Sequence, residues 1–514
     1  MKKTFLLSCL MLAAMPVMAA YTGHVYVDKN KNGVFDQSEK PLAGIKVSDG
    51  LNVVETAADG SFTLPGHERE RFIFITTPSG YKTFNRHYHK IEKKQSGYDF
   101  GLIPYSGRIR KNGSHRYIHI ADTEIFNTEN HADWVNNVRD YARNEQAAFI
   151  IHTGDICYEK GLKAHIKLMN TENMDCPVFY CIGNHDLVKG KYGEELFESI
   201  YGPVYYSFDA GNVHYVVTPM PGGDHAPGYT SDDVCRWLKN DLAHIRPGTP
   251  VVVFNHDLLT YEDTFIFKSK NAGSINLNEY NLKAWVYGHW HINYMKKQGD
   301  VYSVCTSSLD KGGIDHSTTA FRVMHVDSKG DFTSELRYTY LDKNICIASP
   351  AGVMASGVLP VAVNVYSSVS PVREVLYTCL ADGKPVLKNK RLLQSTDWSW
   401  NGELPLSHKY VGKELTLRVT ARFNNGEIAE AESNFICRTE KAVPLFSADW
   451  DNLSGNAKHS APVSAPLNLP LQLAWTNNVG ANLYMTSPLI HKGKVIVASV
   501  DEDLKGAGHV YALN

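Results

Sequence analysis

Five short polar clusters mark the middle of this 514-residue chain, each directly after an apolar segment: Asp122-Thr123-Glu124, Gly154-Asp155, Gly183-Asn184-His185-Asp186, Asn255-His256-Asp257 and Gly288-His289-Trp290-His291. A short apolar run bounded by such residues reads as an interior strand, and polar residues just beyond strand ends are where open α/β sheets place their ligands. Between the clusters the texture alternates. Tyr117 to Ala121 is strand-like, a helical stretch follows with Trp134, Val138 and Tyr141 on one face, and Ala148 to Ile151 is strand-like again. That alternation predicts an α/β domain with central β-sheets flanked by helices. Carboxylates, an amide and histidines brought together suit a pair of divalent ions ~3.5–4 Å apart, which clamp and polarise a phosphoryl group and activate a water. Such a site needs one carboxylate able to bridge and no Ser, Cys or Thr nucleophile.

In order and residue type the clusters resemble the calcineurin-like metallophosphoesterases, whose pattern is DxH, GD, GNH[DE], H and GHxH. Four of the five motifs match fully, and the resemblance covers His119 to Tyr340. It implies metal-dependent hydrolysis of a phosphate ester at two divalent ions (Mn, Fe, Zn or Mg). By it, Asp155 bridges the ions, Asp122 and His291 serve one, and Asn184, His256 and His289 serve the other. His185 stands off the metals and protonates the leaving oxygen, with Asp186 orienting it. The departure is Glu124, where the pattern has His. A carboxylate still suits a hard cation, so Glu124 is expected to join Asp122, Asp155 and His291. Three carboxylates on one ion would favour Mn²⁺ or Mg²⁺ over Zn²⁺ and raise the pH optimum.

The flanks read differently. From Tyr21 to about Tyr105 short strand-like runs (Gly23 to Val27, Ile45 to Val47, Ser61 to Leu64, Phe72 to Ile75) are separated by Asp49-Gly50, Asp59-Gly60 and Pro78-Ser79-Gly80, as in a small sandwich. Within it Asp28, Asn30, Asn32, Gly33 and Glu39 satisfy D-x-[DN]-x-[DN]-G-x5-E, with Asp36 as a further oxygen donor. Alternating oxygen ligands with a glycine at the turn suit calcium. The preceding strand-like run rules out an EF-hand pair, and the segment resembles the calcium loops of bacterial surface β-sandwich repeats and the N-terminal domain that precedes the phosphoesterase in some exported bacterial enzymes. Beyond Tyr340, Val361 to Tyr366 and Leu415 to Val419 restore a short-strand pattern, read as an Ig-like sandwich. The last segment, with Trp475, Ser487-Pro488, Gly493 to Val497 and Gly508 to Leu513, resembles the opening of a PQQ-type propeller blade.

Length alone demands several domains, since single cores rarely exceed ~300 residues. The expected division is a signal peptide (1–19), an N-terminal β-sandwich (20–105), the metallophosphoesterase domain (106–345), an Ig-like sandwich (346–440), a linker (441–470) and a partial blade (471–514). Lys2-Lys3, the apolar run from Phe5 to Met18 and Val17-Met18-Ala19 have the order of an export signal, so a periplasmic or secreted protein is expected. That run, broken by Pro16, is too short for a membrane span, and no later stretch could cross a bilayer. The formal charge of −2 offers no basic track, so a small or glycan-linked ester is expected rather than nucleic acid. Mono- and diester remain open, because substrate contacts fall in loops such as Gly222 to Tyr229. Two rival readings stay open: a surface binding protein with a disabled hydrolase core, and a secreted nuclease using the same metal chemistry. A lone partial blade leaves strand edges unpaired, which points to a C-terminal continuation or a partner. The eight cysteines beyond Cys9 show no zinc-type CxxC spacing.

Overall fold

Strands buried on both faces frame the central domain. The computed structural model describes residues 20–95, 97–439, 449–460, 479, 483, 487–499 and 510–513. In it, Phe149–His152 and Val251–Phe254 are buried at every position. The first lies in a five-stranded sheet ordered Val178–Tyr180, Phe149–His152, His115–Ile120, Ala320–Val326 and Phe332–Tyr338. The second lies in a six-stranded sheet ordered Tyr206–Ala210, Val213–Val217, Val251–Phe254, Leu282–Tyr287, Val301–Cys305 and Tyr294–Gln298.

Aromatic side chains join the two sheets. Tyr117 stacks on Phe149 at 4.7 Å and meets Tyr215 and Phe254 of the other sheet edge-on at 5.6 and 5.8 Å. Strand alternation sends the neighbouring Ile118 and Ile120 to the other face. There the helix Ala132–Asn144 buries Trp134, Val138 and Tyr141 in the same apolar cluster, at the one-face spacing expected. The helix Ser231–Ala243 starts from a reciprocal cap between Thr230 and Asp233 and buries Trp237 and Leu238 in the core that includes Phe74.

Two small sheets precede this domain, one around Tyr21–Val27 and Phe100–Pro104, the other around Lys46–Ser48 and Phe72–Ile75. They share one core built on Val25, Val47, Ile73 and Leu102. The module is docked by Arg71, which pairs with Glu194 and Glu198 at 2.8 and 2.9 Å, and by the Asp209 N–H, which donates to the Thr77 carbonyl at 2.8 Å. After the central domain, two further sheets share a core that includes Val363, Val375, Leu417 and Phe435. The chain enters them at Asn344, within the strand Asn344–Ser349, slightly before the boundary expected at 346.

The strands Leu489–His491, Lys494–Ala498 and Val510–Leu513 form an antiparallel meander. Trp450, expected in the linker, pairs with Ile490 through two backbone hydrogen bonds of 2.7 and 3.1 Å. The segment 1–19 expected to be a signal peptide, much of the linker and much of the blade lie outside the described residues. Among the described residues no helix is long and apolar enough to cross a membrane, and the eight described cysteines stand as free thiols.

Candidate metal centre

The expected ligands come from the carboxyl ends of five strands in the two facing sheets. His115–Ile120, Phe149–His152 and Val178–Tyr180 run parallel to one another and lead to Asp122, Asp155 and Asn184-His185. Val251–Phe254 and Leu282–Tyr287 run parallel in the other sheet and lead to His256 and to His289-Trp290-His291. The loops turn sharply there. Asp122 (φ 52°), Glu124 (43°), Asp155 (56°), His289 (64°) and His291 (51°) all adopt left-handed backbone, which costs side-chain-bearing residues of order 1–3 kcal/mol each and persists where the surroundings enforce it. Two motif glycines are needed for close approach. A Cβ on Gly183 would lie 2.2 Å from Asp155 Oδ1, and one on Gly288 would lie 2.6 Å from Asp122 Oδ2.

The side chains fall into three donor sets that share Asp155. Asp155, His256 and His289 offer ligand atoms within 4.8 Å of one another, and so do Asp122, Asp155 and His291, and Glu124, Asp155 and Cys157. His256 Nδ1 faces the Thr153 carbonyl at 2.7 Å, which turns Nε2 toward Asp155 Oδ2 at 3.1 Å and Asp122 Oδ1 at 3.9 Å. Binding the backbone through one ring nitrogen while the other faces carboxylates is how ligand histidines are oriented. Burial works against charge on His256, yet Asp155 and Asp122 outweigh it and push its pKa up to about 9. Burial, together with Asp155 and Glu124, lifts the Asp122 carboxyl well above its ordinary range. Both shifts express negative charge seeking a cation.

The fit to metal rests on an unpaired atom. Buried Asn184 Oδ1 has no hydrogen-bond partner, and such an orphan is rare unless a ligand or ion completes it, while His256 Nε2 has only the Asp155 and Asp122 carboxylates before it. An amide oxygen, two carboxylates and three imidazoles suit first-row divalent ions.

Glu124 stands beside His291 and Asp155, while Asp186 is placed differently from expectation. Glu124 Oε1 lies 3.6 Å from His291 Nε2, and Oε2 accepts from Lys311 Nζ at 2.6 Å. That ammonium also donates to the Glu124 carbonyl at 3.1 Å. Lys311 thus offsets part of the charge that the extra carboxylate brings. Asp186 does not orient the His185 ring. Its buried carboxylate accepts the backbone N–H groups of Asp155, Gly183 and Cys157, each at 2.9 Å, and so braces the loops that carry the ligands. Burial and the Asp155 charge push Asp186 up to about 6.

The partner of His185 is Asp224, whose Oδ2 lies 2.8 Å from His185 Nδ1. Burial opposes charge on His185, but this contact, Asp155 and Glu124 together raise its pKa above the ordinary value. Asp224 sits in the Gly222 to Tyr229 loop, which sequence reading marked for substrate contacts without marking this residue. Lys311 carried no sequence signal at all.

The calcium-type loop closes on itself. Asp28 accepts the N–H groups of Asn32 and Gly33 at 3.2 and 2.9 Å. The amides of Asn30 and Asn32 donate to Asp36 Oδ2 at 2.7 and 3.0 Å. Glu39 accepts from the Lys29 and Asp36 N–H groups at 2.8 and 3.2 Å.

Comparison with known proteins agrees with this geometry. Residues 29–104 match the model described as N terminal of calcineurin-like phosphoesterase, and residues 115–293 match that of the calcineurin-like phosphoesterase itself. Purple acid phosphatase 13 of Arabidopsis thaliana is 26% identical over 215 residues, which is 39% of this chain and 36% of that protein. The chain thus spans about a third of the length of that relative. Among solved structures, the inner-membrane-complex anchor of Plasmodium aligns over 55% of this chain and 90% of its own at 12% identity, with a TM-score of 0.27. A predicted phosphoesterase of Streptococcus pneumoniae aligns over 44% of this chain and 98% of its own at 13% identity, with a TM-score of 0.22. TM-scores this low do not establish a shared fold. The likeness rests on the two family models: residues 29–104 and 115–293 are similar to the N-terminal part and to the body of the calcineurin-like phosphoesterases.

Proposed function

We propose that this protein hydrolyses a phosphate ester at a binuclear metal centre. Asp155, Asn184, His256 and His289 would hold one ion, and Asp155, Asp122, His291 and Glu124 would hold the other. The observation that carries the reading is Asn184 Oδ1, buried and without a partner, beside a carboxylate that several donor sets share. When bound, two divalent ions supply Lewis acidity toward the phosphoryl group and lower the pKa of water. His185 is the proton donor to the leaving oxygen; Asp224 keeps its ring protonated and turned, and Asp186 holds the loop backbone in place.

The test is a screen of chromogenic phosphomonoesters and phosphodiesters with Mn²⁺, Zn²⁺, Mg²⁺ and Fe²⁺. Divalent-dependent hydrolysis that His185→Asn lowers sharply supports the reading. A diester-only profile extending to DNA would make it a nuclease. One observation favours the rival, a binding protein with a disabled core: Lys311 occupies one oxygen of Glu124 and leaves the outer ion fewer ligands. Ester binding without hydrolysis under every metal would select that rival. We further read the flanking sheet pairs as β-sandwiches, the second of them Ig-like, the loop from Asp28 to Glu39 as a calcium site, the C-terminal meander as part of a propeller blade, and the protein as exported.

A further inference from the structure

Two large rings stand in water beside His185. Phe126 is 55% exposed and Tyr158 43% exposed, and the rings stack with centroids 6.3 Å apart and planes 18° from parallel. The Tyr158 ring in turn lies 5.3 Å from the His185 ring. Phe126 follows Glu124 by two residues and Tyr158 follows Asp155 by three, so two of the ligand loops each end on an aromatic side chain.

Their placement is enforced. Cys157 and Tyr158 have left-handed backbone at φ 75° and 56°, a costly conformation for residues with side chains. The Tyr158 N–H donates to the His185 carbonyl at 3.1 Å, which ties the ring to the residue beside it. Strain and exposed aromatic surface held together next to a proton donor indicate a role outside folding. Charge of both signs surrounds the rings, with Asp224 against His185 and Lys311 against Glu124.

Because His185 protonates the leaving oxygen in the function proposed above, on which this step rests, its neighbours meet whatever that oxygen is bonded to. We infer that Phe126 and Tyr158 form the leaving-group subsite and select phosphate esters whose alcohol presents a flat ring face, aryl or sugar, next to the ester oxygen.

The test uses the metal-loaded full chain. Calorimetric titration compares phenylphosphonate with methylphosphonate, and kcat/KM is measured for phenyl phosphate, glucose 1-phosphate and glycerol 1-phosphate. The unaltered protein is expected to bind the phenyl compound about tenfold more tightly. Phe126→Ala with Tyr158→Ala should erase that preference and cut kcat/KM for the ring esters about tenfold more than for glycerol 1-phosphate. Tyr158→Phe should keep the preference, because the ring and not the hydroxyl carries it. The ratio of phenyl to glucose ester tells which ring is favoured. No preference in the unaltered protein, a preference that survives the double substitution, or no binding of either phosphonate would overturn the inference. A ring preference in binding without hydrolysis under any metal would leave the subsite standing and defeat the hydrolase reading instead.

Discussion

The central domain buries two clusters of histidine and carboxylate, and they are completed in different ways. Around His214 every group has a partner: Nδ1 lies 2.7 Å from Asp209, Nε2 lies 2.8 Å from Asp241, and Asp241 also accepts from the Ser207 hydroxyl at 2.8 Å. Lys46 adds a second cation 3.7 Å from Asp209, so charge is balanced within the protein. Around Asp155 the set stays open: Asn184 Oδ1 has no partner, Asp122 and Asp155 share His256 Nε2 at 3.9 and 3.1 Å, and Lys311 reaches Glu124 alone. What separates an ion pair from an ion site is whether donors, acceptors and charges match without a guest.

The sharpest way to break that comparison is to remove the shared carboxylate. Asp155→Asn should abolish hydrolysis and lower metal stoichiometry, and His185→Asn should reduce hydrolysis by ~10²–10⁴-fold while keeping the metal. Rate assays beside metal analysis separate the two, and retained metal binding in Asp155→Asn would deny Asp155 its bridging place.

The same kind of change in the other cluster should act on stability alone. His214→Ala strands the buried Asp241 carboxylate, while the partly exposed Asp209 keeps Lys46, and should cost about 3 kcal/mol in denaturant melts, with activity per folded molecule unchanged. The cluster also sets a pH window. Burial disfavours charge on His214, but Asp241 and Asp209 raise its pKa to about 9. Its contribution is therefore complete below the unfolded value of ~6.5 and is lost as pH rises through about 9. Asp209 and Asp241 are depressed despite burial, chiefly by His214, so their contribution is present above the unfolded value of ~3.9 and fades as pH falls through their lowered pKa values. The stability gap between the unaltered protein and His214→Phe should narrow above about pH 9; a constant gap would show that His214 is not charged.

A smaller effect tests how the outer ion is balanced. Lys311→Met frees Glu124 and should tighten the weaker of two metal-binding events by about tenfold, since one unit charge at close range is worth roughly 1 kcal/mol or more. An unchanged titration would make the Lys311–Glu124 pair a surface contact. The smallest effect is expected in the N-terminal loop, where the oxygens are already satisfied. Calcium at ~10 mM, against a dissociation constant near 10⁻³ M, should stabilise by ~1.4 kcal/mol, and Asp28→Ala should remove that response. Silence in both would leave the loop a self-closed turn.

The residues that converge on the candidate centre were legible because each sits just past an apolar strand, so that sequence neighbourhood and spatial neighbourhood coincide. The same holds for Trp134, Val138 and Tyr141, whose spacing fixes one helix face. Legibility ended where partners are distant. Asp224 is 39 residues from His185, and Lys311 is 187 from Glu124. Asp186 was misread for the opposite reason: adjacency to His185 suggested contact with the ring, while its carboxylate points to three backbone N–H groups. Trp450 looked like linker because its partner, Ile490, lies across sequence rich in Ser, Ala and Pro.

The most direct test of the central claim is reconstitution. The chain is stripped with a chelator and titrated with Mn²⁺ or Zn²⁺, while bound metal and hydrolysis of a chromogenic phosphate ester are followed together. The account predicts two equivalents bound, with no hydrolysis before metal and full hydrolysis only when both are present, and a titration that Asp155→Asn cannot complete. Hydrolysis by the stripped protein, or saturation by metal with no ester cleaved under any divalent ion, would contradict it.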